Sequence, residues 1–288
     1  MKKDQMVPGR RAVLRVAACL GAAFAGRFLV AGTAQAPGRG DAAGRAAAGA
    51  GAPGAGASRA GQRLRPSAYR LDPMAADVAE ELRRPAPPVR SRPFLDLPEL
   101  GNSVVLTFDD GPDPLYTPEI LRTLREYDVR AMFFVCGEMA DVHRDLLREA
   151  AGDGHVIGNH SWSHPLMTTL TRSGIRAEMG RTSEVVERVL GTPPLWYRAP
   201  YGAWNRHAFE LGAELGMEPL GWSLDSLDWT EPPPVADRIV TRVVDGAVPG
   251  TVVLSHDAGG DRSQSVAALR DYLPLLRQAG YRIAVPRR

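Results

Sequence analysis

Only two cysteines occur in the 288 residues, Cys19 and Cys136. Cys19 sits in a leader-like segment, so the cleaved chain keeps one thiol and no internal disulfide. That excludes a disulfide-stapled scaffold and leaves stability to the core, with metal as a further support. Cys136 ends the apolar run Ala131-Met132-Phe133-Phe134-Val135 and reads as a small core residue. Long hydrophobic runs are absent too: the stretch from Val16 to Gly26 is too short to span a bilayer. No GxGxxG loop follows the first strand-like segment, which removes the usual argument for a dinucleotide. A basic surplus is also missing from the body of the chain. The first 36 residues hold six basic side chains and one acidic one, leaving 29 basic against 32 acidic, a net charge of −3. Beyond residue 93 the count is 19 basic against 27 acidic. The overall pI of 8.7 therefore implies no nucleic-acid partner.

What is present begins with that leader. Residues Lys2 to Arg15 are basic, Val16 to Gly26 are apolar and small, and Ala34-Gln35-Ala36 is an Ala-x-Ala cleavage pattern. This is a secretory signal layout. Arg10-Arg11 before Ala12-Val13-Leu14-Arg15 is similar to a twin-arginine export signal, and Val16-Ala17-Ala18-Cys19 is faintly similar to a lipoprotein processing site. The expected organisation is a signal peptide over 1–36, an Ala/Gly-rich flexible linker over 37–66, a partly ordered lead-in over 67–100 and a folded domain over 101–288. Within the lead-in, Met74 to Leu82 suits a helix and Pro85 to Pro93 an extended linker. Cleavage predicts a secreted or cell-wall-associated protein with no stable membrane insertion, and a monomer is the expected state.

From residue 103 short apolar runs alternate with amphipathic segments. The expected strands are Val104–Phe108, Ala131–Val135, His155–Gly158, Leu195–Arg198, Glu218–Ser223, Thr251–Ser255 and Tyr281–Val285. Helical patterns are clearest at Pro118–Tyr127, Ile175–Leu190, His207–Leu215 and Ser265–Gln278, with Gly191 and Gly280 as stops. Strand alternating with helix argues an α/β parallel sheet, and seven repeats argue a closed or nearly closed barrel, with an open doubly wound sheet as the alternative.

Polar clusters fall where such strands end. Asp109-Asp110 follows the first, His160-Ser161-Trp162-Ser163-His164 the third and Arg198-Ala199-Pro200-Tyr201-Gly202 the fourth. Asp225-Ser226-Leu227-Asp228-Trp229 follows the fifth, and Leu254-Ser255-His256-Asp257 the sixth. The carboxyl ends of barrel strands are where active sites form. Three of the six histidines lie in these loops. Histidines at i and i+4 face one way if their loop makes one helical turn. Two imidazoles plus one carboxylate make a three-ligand site with room for water and substrate. One of the paired aspartates can then bind metal while its neighbour acts on water.

These segments, TFDDGP, HSWSH, RAPYG, DSLDW and LSHD, are together similar to the five ordered motifs of the polysaccharide deacetylases of carbohydrate esterase family four. The resemblance covers residues 100–288. It implies a distorted seven-stranded (β/α) barrel of deacetylase type and a metal-dependent hydrolase acting on acetylated polysaccharide. It also implies that Asp110, His160 and His164 bind one divalent metal, zinc by default with cobalt, nickel or manganese as substitutes. Asp109 is then the general base, oriented by Arg198, and the Tyr201 N–H joins the metal in holding the oxyanion. His256 is the general acid, tuned by Asp228, while Trp229 and Leu254 shape the acetyl pocket. Peptidoglycan or chitin oligomers are the expected substrates, O-acetyl xylan the alternative, and a catalytically silent wall-binding protein the competing class. Trp162, Tyr201, Trp204 and Trp229 are candidate sugar-stacking side chains.

Overall fold

In the computed structural model, which describes residues 85–286, β1 (Ser103–Asp109) is buried along its whole length. Its apolar run has no alternation because both faces are covered, as parallel sheets require. β1 pairs with β2 (Met132–Val135) through Thr107–Asp109 and with β7 (Val252–His256) through Val105–Asp109. β3 (Val156–Asn159), β4 (Trp196–Tyr197) and β5 (Glu218–Pro219) follow beyond β2, and β6 (Leu224–Asp225) lies beyond β7. β8 (Arg282–Ile283) takes the start of β1, Ser103 and Val104, which β2 leaves free. Every ladder is parallel.

Of the expected strand Glu218–Ser223 only Glu218–Pro219 is strand, as β5, and β6 lies just past its end. β5 pairs with β4 and β6 with β7, so the two ends of the sheet are joined by residues 220–223. Leu220 N–H still donates to Tyr197 O, and Ser223 N–H already donates to Val252 O. The seven parallel strands β5-β4-β3-β2-β1-β7-β6 therefore curl into a half-barrel whose two ends are joined by the chain rather than by a ladder. Phe94 covers this seam, bridging Leu220 and accepting from Gly221 N–H. Arg90 anchors the same stretch through an ion pair to the buried Glu218.

The helices are α1 (Thr117–Glu126), α2 (Gly137–Val142), α3 (Arg144–Gly152), α4 (Arg172–Leu190), α5 (Arg206–Glu214), α6 (Ala236–Gly246) and α7 (Ser263–Gln278). Pro118 stands in the first turn of α1, and Gly191 ends α4 at φ 79°, a conformation glycine adopts without penalty. One apolar cluster joins β1, β2 and β7 to α1, α4, α6 and α7. Among the described residues no helix is long and apolar enough to cross a membrane. The leader, its cleavage pattern, Cys19, the linker and residues 67–84 lie outside the described residues.

Candidate active site

The five motif loops meet at the carboxyl end of the barrel. Register brings the first and last together: Asp109 on β1 stands opposite His256 on β7. Asp109 is 2 % exposed and Arg198 1 %. Arg198 Nη1 donates to Asp109 Oδ1 at 2.6 Å and to Thr107 Oγ1 at 2.8 Å. Its Nε and Nη2 donate to the carbonyls of Leu220 and Gly221, and the guanidinium lies over the Phe134 ring. A buried guanidinium held at four points cannot swing away, so one Asp109 oxygen is fixed and Oδ2 is left for chemistry. Burial raises the Asp109 pKa above the ordinary carboxylate value, although Arg198 pulls the other way.

Beside it, Asp110, His160 and His164 each bring one ligand atom into a group within 4.8 Å. Asp110 Oδ1 lies 3.6 Å from His160 Nε2 and 3.3 Å from His164 Nε2. His160 Nδ1 is 2.9 Å from the Arg198 carbonyl, which can only accept. The proton therefore sits on Nδ1, and Nε2 presents its lone pair to Asp110. Burial lowers the His160 pKa to about 3, so the ring is neutral. Asp110 Oδ1 is itself buried with no hydrogen-bond partner. Facing acceptors with no donor between them are unfavourable unless a cation joins them, and a buried unsatisfied acceptor costs about 1–3 kcal/mol. The donor set fits a divalent ion, with Asp110 rather than the Arg198-bound Asp109 as the carboxylate.

The loop carrying the two histidines is not the helical turn expected. Ser161 and His164 adopt φ of 68° and 56°, and the chain reverses without helical hydrogen bonds. Asp110, Tyr201 and Leu227 are also left-handed, at φ of 78°, 59° and 60°. Five of the six non-glycine residues with positive φ among those described thus lie in the motif loops. Such conformations are costly and persist where surroundings over-determine them.

His256 Nδ1 is 2.7 Å from Asp228 Oδ1, and Asp228 Oδ2 accepts from His256 N–H and Ser265 Oγ. Burial alone lowers the imidazole pKa, but the Asp228 hydrogen bond and charge, aided by Asp109 and Asp110, carry it up to about 9. The imidazolium is thus the resting form at neutral pH, with Nε2 left for the cavity.

A cavity of about 610 Å³ joins these groups, walled by Leu254, Trp222 and Cys136 and flanked by Tyr201 and Trp229. Leu254 is buried, while Tyr201 is 67 % and Trp229 49 % exposed. Trp229 Nε1 donates to the Asp225 carboxylate, which stands the ring up at the rim. The Tyr201 ring packs edge-on against His164, 4.6 Å between centroids. Tyr201 is second in the turn Pro200–Gly202, where a backbone N–H has no partner within the turn. Two of the four candidate stacking side chains are occupied otherwise. Trp204 stacks on Phe209, and Arg181 covers Trp162 at 3.8 Å.

Several supporting residues, the motif members Asp257 and Gly111 among them, take roles that the sequence alone does not assign. Asp257 accepts from Gly111 N–H and Thr117 Oγ1, tying the loop after β1 to that after β7. Gly111 is required there, since a Cβ would meet the Asp257 carboxylate at 2.1 Å. Arg262 spends its donors on the carbonyls of Ala258, Gly259 and Asp228.

Residues 98–220 match the family model described as polysaccharide deacetylase. The chain is 32 % identical over 192 residues to a chitooligosaccharide deacetylase of Azorhizobium caulinodans, covering 62 % of this chain and 90 % of that one. It is 37 % identical over 180 residues to a peptidoglycan-N-acetylglucosamine deacetylase of Bacillus cereus, covering 62 % of this chain and 65 % of that one, just under two thirds of the relative's length. A crystal structure of a peptidoglycan N-acetylglucosamine deacetylase with an N-hydroxybenzamide ligand is similar at TM-score 0.64 and 35 % identity, covering 67 % of this chain and 89 % of that one. The chain belongs to the polysaccharide deacetylase family, carbohydrate esterase family four.

Proposed function

We propose that this chain is a metal-dependent hydrolase that removes acetyl groups, N-acetyl above all, from an extracellular or cell-wall polysaccharide such as peptidoglycan or chitin oligomers. One observation carries the reading: an unpartnered Asp110 oxygen faces two imidazoles, with Asp109–Arg198 on one side and His256–Asp228 on the other, around one cavity. Asp110, His160 and His164 would hold the ion, taken as zinc. When bound, such an ion supplies Lewis acidity to an acetyl carbonyl and lowers the pKa of water.

The chain's own groups supply the rest. Asp109 Oδ2 takes the proton of the attacking water, its partner oxygen pinned by Arg198. Burial raises its basicity toward that task. The Tyr201 N–H donates to the oxygen on which negative charge develops. An amine leaves poorly unless protonated, and His256, charged at neutral pH, donates that proton from Nε2 while Asp228 fixes the ring. Leu254 and Trp229 enclose the acetyl methyl, and the exposed rings of Trp229 and Tyr201 suit sugar faces at the rim.

The leader over 1–36 and the linker over 37–66 support export and a wall-side location for the barrel. The test is acetate release by metal-reconstituted protein from acetylated chitin oligomers, peptidoglycan and xylan, with and without chelator. Chelator-sensitive release from the N-acetyl substrates is expected. Release from acetylated xylan alone would move the activity to O-acetyl esters, and chelator-insensitive release would remove the metal.

A further inference from the structure

The two candidate imidazole ligands are held in different ways. His160 is buried and its Nδ1–H is bonded to the Arg198 carbonyl, the usual arrangement by which a second partner orients a metal-binding ring. His164 is half-exposed, and among the described residues no hydrogen bond reaches its Nδ1. Its neighbours are the Asp110 carboxylate and the rings of His160 and Tyr201. Something else must fix where that ring points. A residue at φ 56° in a loop without helical or strand hydrogen bonds is placed by its backbone.

One side chain holds the stretch of that backbone next to His164. Glu178 Oε2 accepts from Trp162 N–H and Ser163 N–H, each at 2.9 Å, and Oε1 accepts from Ser163 Oγ at 3.1 Å. These are the two residues immediately before His164. One turn further along α4, Arg181 lies on the Trp162 ring, 3.8 Å from its centroid. Asn159 adds a third tie: its Oδ1 accepts from Ser161 N–H while its Nδ2 donates to Met179 O and Ser183 Oγ. On the opposite side Gly137 N–H and Glu138 N–H, at the start of α2, donate to the carbonyls of Ser161 and Trp162. The loop is thus gripped between the start of α2 and the flank of α4.

We propose that Glu178 is the positioning residue for His164, standing in for the ring hydrogen bond that His164 lacks. A carboxylate suits this because it has two acceptor oxygens, so three donors can converge on it. The charge also strengthens each bond. Without it two backbone N–H groups lose their partner, and the loop relaxes from its left-handed turn, carrying His164 off the Asp110–His160 pair. His160 keeps its own orientation. This inference rests on the metal reading above.

The test uses the full chain with Zn2+ alone as the probe, its affinity measured by competition with a chromophoric chelator. Alongside it, unfolding of the metal-free protein is followed. Glu178→Leu keeps the volume and removes the acceptor. Supporting partners of metal ligands typically contribute about 10–100-fold in affinity, and a loss of that size is expected. Glu178→Gln keeps one acceptor oxygen for both N–H groups and should recover most of it. The Co2+-loaded E178L protein should show an altered visible spectrum, a signature of changed coordination that a distant stability effect does not produce. His164→Ala is the control on the parent reading. If H164A leaves Zn2+ affinity unchanged, the metal site itself is wrong. If H164A loses affinity while E178L and E178Q both bind as the parent chain does, Glu178 has no positioning role. Should E178L fail to fold, Glu178→Met, which also lacks the acceptor oxygens, takes its place: a Zn2+ affinity loss with an altered Co2+ spectrum supports the assignment, and parent-like affinity and spectrum overturn it.

Discussion

Replacing Asp228 by Asn removes one charge and leaves the shape, which isolates what the carboxylate does to His256. Asp228 accepts from three donors, His256 Nδ1–H, His256 N–H and Ser265 Oγ–H. An amide can accept on only one side. If its oxygen faces His256 Nδ1, its NH2 meets the His256 N–H, and if it flips, the ring must give up its Nδ1 proton. Both arrangements disfavour the imidazolium. The His256 pKa stands at about 9 against an ordinary 6.5, a difference of about 3 kcal/mol between the two charge states. Without the carboxylate, only the more distant Asp109 and Asp110 charges still oppose burial, and the pKa falls toward 6.5. At pH 7.5 the protonated fraction then drops from about 97 % toward about 9 %, close to tenfold. The assay is a histidine NMR titration of the metal-free protein, with the His256 signal identified by its loss in H256Q. The sign for stability follows. A folded pKa above the unfolded one stabilises fully below about pH 6.5, and that contribution disappears as pH rises toward 9. Urea unfolding of the parent chain should weaken across that window, and D228N should show a flatter profile. A D228N protein that folds yet titrates His256 near 9 would refute the reasoning.

D109N should retain Zn2+ yet lose about 10²–10⁴-fold in turnover, the usual worth of a general base, whereas D110N should lose the metal; elemental analysis with the opposite pattern would exchange the two roles. Arg198→Met leaves the Asp109 carboxylate buried without its cation, so urea unfolding should report a loss of about 3–5 kcal/mol, and a near-neutral change would show that the pair does not hold the barrel mouth. His256→Ala should damage hydrolysis of an N-acetyl sugar far more than that of an activated aryl acetate, whose leaving group needs no proton; equal losses with metal still bound would remove His256 as the acid.

Much of the fold was written in local pattern. The apolar runs ending in Asp109, Asn159 and His256 announce parallel strands, and Pro118 and Gly191 mark a helix start and stop through chemistry that needs no tertiary context. The division of Glu218–Asp225 was only partly legible: Pro219 and Gly221 weaken the run as one continuous strand, but where it passes from one ladder to the other depends on which strands flank the segment. The site was legible as a set of residue types at strand ends, and all ten singled-out residues sit at one barrel mouth. How they meet was less so. The pairing of Asp109 with His256 comes from a register between segments about 150 residues apart. The HSWSH loop is a left-handed reversal because Asn159 and Glu178 supply its missing partners, and Glu178, 14 residues beyond His164, is an unremarkable glutamate in a helical pattern. The same holds for Trp162, whose face looks free for a sugar until Arg181 is placed on it.

The central claim, that this cluster hydrolyses an N-acetyl group, is tested most directly by mass spectrometry of chitin oligomers and peptidoglycan fragments incubated with Zn2+-loaded protein. Each turnover should remove one acetyl mass, release one acetate and expose one free amine in equal amounts, with D109N inactive at full metal occupancy. Protein that binds one Zn2+ per chain through Asp110, His160 and His164 yet releases no acetate from either substrate, under conditions where His256 is protonated, would contradict the account.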